Sequence, residues 1–472
     1  MSLPNTLKAP AFLQKLQWTA NPVKYFEGAA QQHPDIFTAE IVGFGETVVF
    51  VNHPQAIQEI FTNDASGTVQ SVGRKKFAAL GEKNRILQPL LGNHSLLMLS
   101  GERHKRRRQI AMPPFHGERM RAYGSLMCKL TENIYTHLPL NEPFSARFVM
   151  QEISLQIMLQ AVFGLYEGER CQKLKYLLTS LMDNFISPVT SGFLLFSFLQ
   201  KNLGSWSPWG RFLSQRQQID ELIYAEIAER REENNLERID ILSLLMSAKD
   251  EMGNSMTDEE LRDELMTLIL AGYETTATAM AWAMYWIHRQ PEVYQKLLEE
   301  IDTLGDHPDS MEIFRLPYLS AVCNETLRIH PSVMVTMPRV VQEPVKLLGY
   351  ALEPGTVLLT SVYLTHHRQD LYPQPQQFKP ERFLERQFSP YEFIPFGGGS
   401  RSCIGQALGM FEMKLVLATL LSNYQLALAE RKPEKLQRRG FTLAPANGVK
   451  MVIKGRRVRQ RSQVPTATAP AH

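Results

Sequence analysis

Residues Phe396–Gly405 read F-G-G-G-S-R-S-C-I-G. Cys403 stands behind three consecutive glycines, with Arg401 two places before it and Gly405 two places after it. A helical pattern then begins at once, Gln406-Ala-Leu-Gly-Met-Phe-Glu-Met-Lys-Leu. Gly397, Gly398 and Gly399 let the backbone approach a partner closely and adopt dihedrals closed to other residues. The first turn of the following helix offers unpaired N–H groups and a positive dipole end, which lowers the cysteine pKa and favours a thiolate. The layout suits a thiolate presented from a loop to a large flat partner. A lone cysteine would read as a core residue, since free Cys is among the most buried types. The ordered neighbours of Cys403 point to ligation instead.

The segment resembles the haem-binding loop of the cytochrome P-450 monooxygenases, F-x-x-G-x-R-x-C-x-G. Phe396, Gly399, Arg401, Cys403 and Gly405 match it at every fixed position. The resemblance implies a mainly α protein of the cytochrome P-450 fold, a helix-rich bulk with a small β-sheet region. It also implies haem b (iron protoporphyrin IX) as cofactor, with Cys403 as the axial iron ligand and Phe396, Arg401 and Gly405 around it. An axial thiolate donates electron density to haem iron and favours O–O cleavage. The implied activity is hydroxylation of an unactivated C–H bond with O2, two electrons and two protons.

Thr257-Asp-Glu-Glu260 is a capping box, Thr257 serving as N-cap and Glu260 reaching back. It opens a helix that continues to about Arg289 and ends at Pro291. At 1.5 Å per residue this helix spans roughly 45–50 Å, long enough to cross the molecule. Its middle reads Ala271-Gly-Tyr-Glu-Thr-Thr276. An acid in a mostly apolar helix is costly to bury without a purpose, and Gly272 carries a penalty of ~1 kcal/mol relative to Ala. A ligand pressed against the helix would explain both. The family has A/G-G-x-D/E-T-T/S at the oxygen-binding face of the haem. That resemblance implies proton delivery by Glu274 and Thr275, with Ala271 and Gly272 making room.

Three weaker patterns gain meaning from these. Glu325-Thr-Leu-Arg328 places an acid and a base on one helix face. The family pairs E-x-x-R with the arginine of a P-E-R-F segment, here Pro380-Glu-Arg-Phe383, implying a structural lock of Glu325, Arg328 and Arg382. Gly101-Glu-Arg-His-Lys-Arg-Arg-Arg108 is strongly basic. His104 and Arg108 match the family's propionate-contacting pair, and Arg339 and Arg401 are further candidates, since guanidinium groups suit bidentate carboxylate contacts. Arg103, Arg106 and Arg107 are expected on the outward face, where they would steer an acidic electron donor.

The net charge of +3 creates no demand for nucleic acid. Cys128, Cys171, Cys323 and Cys403 form no C-x-x-C pair, which argues against a zinc site, an iron–sulfur cluster or a disulfide framework. The opening Met1-Ser-Leu-Pro-Asn lacks the features of a signal peptide. The longest charge-free apolar stretch, residues 184–200, falls short of the ~18–20 residues of a transmembrane helix and contains Pro188. Its Phe193-Leu-Leu-Phe196 run either packs under a loop or forms a greasy entrance with a peripheral membrane contact. The expected location is cytoplasmic. No flavin or nicotinamide fingerprint is present, so electrons must come from a separate donor, a ferredoxin or flavodoxin with its reductase.

Helices are expected over Pro22–Gln32 and from Pro54 to Phe61, and strands over Phe37–Val42, Thr47–Val51, Val340–Leu348 and Val357–Val362. Asp64–Lys76 reads as a mobile loop and Arg230–Arg238 as a solvated turn. His366 and His367 read as adjacent strand residues on opposite faces, unable to share an ion. Trp282, Tyr285 and Trp286 read as core. No linker composition divides residues 1–456, which read as a single domain, and residues 457–472 read as a disordered tail.

By family analogy the substrate pocket draws on Leu87–Leu99, Leu194–Leu199, Thr267–Ala271, Val333–Met337 and Gly440–Leu443. Nearly all are apolar, which favours a fatty acid, terpenoid or steroid. The chain is similar in overall look to cyanobacterial members of the family, which suggests fatty-acid hydroxylation, although no cation is placed for a carboxylate. Two other readings stand beside this one: a haem-thiolate enzyme that uses peroxide or rearranges its substrate, and a non-catalytic haem or lipid binder.

Overall fold

The computed structural model describes residues 3–44, 47–65, 76–115, 119–183, 200–204, 206–233, 238–250, 252–305 and 308–458. The apolar run at 193–199, most of the expected loop at 66–75 and the tail from 459 lie outside them.

The helix Asp258–Arg289 is the axis of the fold. It starts at the Thr257–Glu260 capping box, with both reciprocal bonds made, and stops before Pro291. Its middle is buried on nearly all sides, as an apolar helix at the centre of a bundle must be. Its closest neighbour is the helix Ala146–Phe163. Gly272 permits that approach, because a Cβ there would lie 2.8 Å from Met158 Cε. Gly272 therefore makes room for a neighbouring helix. Trp282 is fully buried, donates from Nε1 to the Leu443 carbonyl at 3.0 Å and lies 3.8 Å from the His330 ring. The helix Gln406–Asn423 starts directly after the cysteine loop and is buried along almost its whole length.

A six-stranded sheet flanks the helices. In spatial order its strands are Ile36–Glu40, Thr47–Val51, Val357–Thr360, Arg339–Val341, Phe77–Ala78 and Asp64–Ala65. The first two pair antiparallel, Ile36 opposite Val51, and Val51 runs parallel to Thr360. Helices Pro22–Gln32 and Pro54–Thr62 begin on prolines preset for a first helical turn.

Several local expectations need correction. The single strand expected over Val340–Leu348 is two, Arg339–Val341 and Val345–Leu347, in different sheets. Pro344 between them has no N–H to give a ladder. The strand from Val357 ends at Thr360, and Ser361 caps the short helix Val362–His366. His366 and His367 thus close a helix, and His366 Nε2 accepts the Ile394 N–H at 2.9 Å. Arg230 is buried in ion pairs with Glu226 and Asp240, both at 2.8 Å, and is not solvated. Among the described residues no helix is long and apolar enough to cross a membrane.

Candidate active site

The cysteine loop is shaped by its glycines. Gly399 has φ +61°, and a Cβ there would lie 2.5 Å from Asp64 Oδ2. A Cβ on Gly398 would meet the Phe61 ring at 2.3 Å. The Cys403 N–H donates to the Phe396 carbonyl at 2.9 Å and closes the loop. Cys403 is nonetheless exposed, even though protein crowds around it. Burial pushes its thiol up, while a Gly405 backbone bond and the Arg108 charge pull it down. A bound metal cation would favour the thiolate form.

Asp64 was expected in a mobile loop, but it is buried at the sheet edge and grips this loop. It pairs with Arg339 Nε at 2.7 Å and accepts from the Ser400 N–H at 3.1 Å and the Ser400 hydroxyl at 3.0 Å. Arg339 Nη2 also donates to the Gly398 carbonyl at 3.0 Å. Arg108 donates to the Ser402 carbonyl and hydroxyl, at 2.6 and 2.9 Å. Arg401 reaches the Leu96 and Ala79 carbonyls, at 3.0 and 2.8 Å. His104 is buried beside them. Burial, then the charges of Arg401, Arg108 and Arg339, push it down to about 3, so it is neutral at pH 7. Burial, then Arg339, lowers Arg401 to about 9, with Arg108 adding to the fall and Asp64 opposing it.

The cluster therefore holds three guanidinium groups, Arg108, Arg339 and Arg401, against the carboxylate of Asp64. Buried charges are normally paired. Two uncompensated cations beside an open thiol fit a flat cofactor carrying propionate groups. The residues present fit haem.

Arg107 is not outward. It is buried and pairs with Glu260 and, at 3.9 Å, with Glu264. Arg103 is exposed and Arg106 half-buried.

On the long helix, Ala271 is exposed and Thr275 half-buried although their neighbours are buried. Both face a cavity that also touches Leu87, Leu90, Val333 and Thr336. Thr336 lies beside the cysteine loop, its Cγ2 3.8 Å from where a Gly397 Cβ would stand. Gly409, in the helix after Cys403, faces Thr276 Oγ1. These contacts set the loop against the middle of the long helix. Thr275 Oγ1 donates to the Ala271 carbonyl at 2.7 Å, leaving its lone pairs free. Glu274 also lines the cavity, and is held by Arg147 Nη2 at 2.7 Å and Gln151 Nε2 at 2.5 Å.

Glu325 and Arg328 are fully buried and joined at 2.6 and 2.8 Å. Arg382 Nε reaches Glu325 at 3.2 Å, and Arg328 also donates to the His366 carbonyl at 2.9 Å. The structure thus brings the three together.

Sequence reasoning missed Asp64, Arg147, Gln151 and two arginines on the cavity wall, Arg438 and Arg439. It named most of the apolar wall. A second depression, lined by Trp286, Val293, Lys296 and Glu381, contains none of the expected site residues.

The family model described as cytochrome P-450 matches residues 4–451. A Mycobacterium tuberculosis protein bearing the name cytochrome P-450 135B1 is 32% identical, covering 99% of this chain and 94% of that protein. Another from the same organism, cytochrome P-450 138, is 30% identical over 96% and 97%. Among solved structures, retinoic acid-bound cyanobacterial CYP120A1 superposes with a TM-score of 0.82 at 20% identity, covering 96% of this chain and 99% of that one.

Proposed function

The chain belongs to the cytochrome P-450 family and is a haem-thiolate monooxygenase with haem b as cofactor, and from that premise we propose a lipophilic substrate of the fatty-acid, terpenoid or steroid class. The observation that carries the site assignment is the open thiol of Cys403 within an uncompensated cationic cluster, facing the long helix. Cys403 Sγ would ligate the iron. His104, Arg108, Arg339 and Arg401 would hold the propionates, and Phe396 and Gly405 would shape the loop around the sulfur. When bound, the haem supplies the activation of dioxygen.

The chain's own side chains do the rest. Ala271 leaves open space on the helix face. Thr275 Oγ1, its proton spent on the Ala271 carbonyl, accepts a hydrogen bond from a group in that space. Glu274 stands one residue away, kept in place by Arg147 and Gln151, and would relay a proton that it takes up from solvent. Apolar walls at Leu87, Leu90 and Val333 exclude bulk water and leave a lipophilic body few polar partners. Glu325, Arg328 and Arg382 act structurally. The electron donor is a separate protein, a ferredoxin or flavodoxin with its reductase, guided by the exposed Arg103 and by Arg106.

A carbon monoxide difference spectrum of the reduced protein tests the ligand. Wild type should give the thiolate signature and Cys403→Ser should lose it. A thiolate spectrum surviving in Cys403→Ser would overturn the assignment. Reduction rates that ignore salt and are unchanged in Arg103→Glu would remove the proposed docking face.

A further inference from the structure

Buried arginines of this chain carry carboxylates. Arg147 has Glu274, Arg262 has Asp220 and Asp263, Arg328 has Glu325, and Arg339 has Asp64. Arg438 differs. It lies on the strand Leu436–Arg439, opposite Leu443 of the strand Thr442–Pro445, and lines the apolar cavity beside Trp18, Val42 and Phe44. Among the described residues it has no ion-pair partner, and its hydrogen bond, to the Trp18 carbonyl, is 3.5 Å long. Its neighbour Arg439 also lines the cavity but has polar company that Arg438 lacks. Arg439 donates to the Ala446 carbonyl at 3.0 Å and feels the carboxylates of Glu274, Asp183 and Glu434. Burial alone lowers the Arg438 guanidinium, with no neighbouring charge acting on it.

The cysteine-side cations cannot account for this group. Arg108, Arg339 and Arg401 bond to the cysteine loop and its supports, whereas the hydrogen bond of Arg438 goes to Trp18. A half-buried guanidinium set in an apolar wall without a counter-charge is costly, and its planar fork matches a carboxylate.

We propose that Arg438 binds the carboxylate of a lipophilic acid whose apolar body fills the cavity toward Ala271 and Thr275. The inference rests on the lipophilic-substrate reading above and narrows it. It also sets direction. The head group is held at the hairpin, so the part of the molecule remote from the carboxylate is the part offered beneath the long helix.

Equilibrium binding to the holoenzyme, measured by calorimetry, tests this with matched pairs of fatty acid and primary alcohol from decyl to hexadecyl. Wild type should prefer the acid by roughly tenfold or more, the worth of one charge-assisted hydrogen-bond pair. In Arg438→Gln that preference should fall to about twofold or less with alcohol affinity kept, since only the charge pair is lost. Arg438→Lys should retain part of it. Equal binding of acid and alcohol to wild type would overturn the role of Arg438 and leave the lipophilic-substrate reading standing. Equal loss of both ligands in Arg438→Gln would likewise overturn it, marking Arg438 as a wall residue. If neither ligand of any pair binds, the lipophilic-substrate reading fails and this inference falls with it.

Discussion

Asp64→Asn is the most informative single change. It keeps the side-chain shape and removes the charge that balances Arg339. The two side chains are 4% and 2% exposed, and N and O stand 2.7 Å apart. At an effective dielectric of about 20, that separation gives an attraction of ~6 kcal/mol. Desolvation offsets part of it, and breaking one partner of a buried pair costs about 3–5 kcal/mol net. Three donors converge on Asp64, from Arg339 Nε and the Ser400 N–H and hydroxyl. An amide has one acceptor oxygen and turns its NH2 toward the remaining donors. The expected loss for the apoprotein is therefore about 4 kcal/mol, read as a shift in the urea midpoint at constant slope. The haem-bound protein should lose less. With Asp64 neutral, Arg339 and Arg401 are left to the propionates, and cofactor binding recovers part of the deficit. Adding Arg339→Gln should reveal coupling of more than ~1 kcal/mol in a double-mutant cycle. Equal losses in apo and haem-bound protein would refute the shared electrostatics of Asp64 and the propionate site. An apoprotein loss under about 0.5 kcal/mol, the usual additivity error, would refute the buried-pair account altogether.

Other changes probe separate parts of the fold. Glu412 is buried with Oε1 unpartnered, and burial pushes its carboxyl up to about 8. A raised folded-state pKa means that its contribution to stability is complete below the unfolded value of 4.5 and is lost as pH rises through about 8. Glu412→Gln should therefore flatten the fall in stability between those limits and gain relative to wild type at pH 9, as thermal melts across that range would show. Gly399→Ala forces a side chain into φ +61° and against Asp64; the backbone term alone costs roughly 1–2 kcal/mol, and haem retention on gel filtration should drop. Glu325→Gln leaves Arg328 buried without its carboxylate, with an expected loss of about 3–5 kcal/mol and a poor yield of haem-loaded protein. Thr275→Ala removes the cavity hydroxyl and should lower product formed per electron consumed while leaving the carbon monoxide spectrum unchanged.

The parts of this molecule that are legible in its sequence are those whose physics is local. The cysteine loop, the Thr257 capping box, the stop at Pro291 and the core face of Trp282 and Tyr285 each depend on residues within a few positions of one another. The Glu325–Arg328 pair belongs with them. What escaped reading depends on partners far along the chain. Asp64 meets Arg339 across 275 positions, and no neighbour in sequence marks it. Arg107 and Arg230 sit in charged runs that look solvated, yet each turns inward to a carboxylate supplied by another part of the chain. Gly272 stands in a motif that invites a ligand reading, while its missing side chain admits Met158 from an adjacent helix. Arg438 looks like one more base in a polar hairpin until the fold sets it against an apolar wall.

The bond from Trp282 to the Leu443 carbonyl ties the hairpin, two residues past its tip, to the central helix. It links the two walls of the chamber. Transplanting a different tip to change what the enzyme accepts would succeed only with donor sequences that return a carbonyl to the same spot under the indole. Exchanges that respect that anchor offer the natural route to variants with altered appetite and an undisturbed sulfur side.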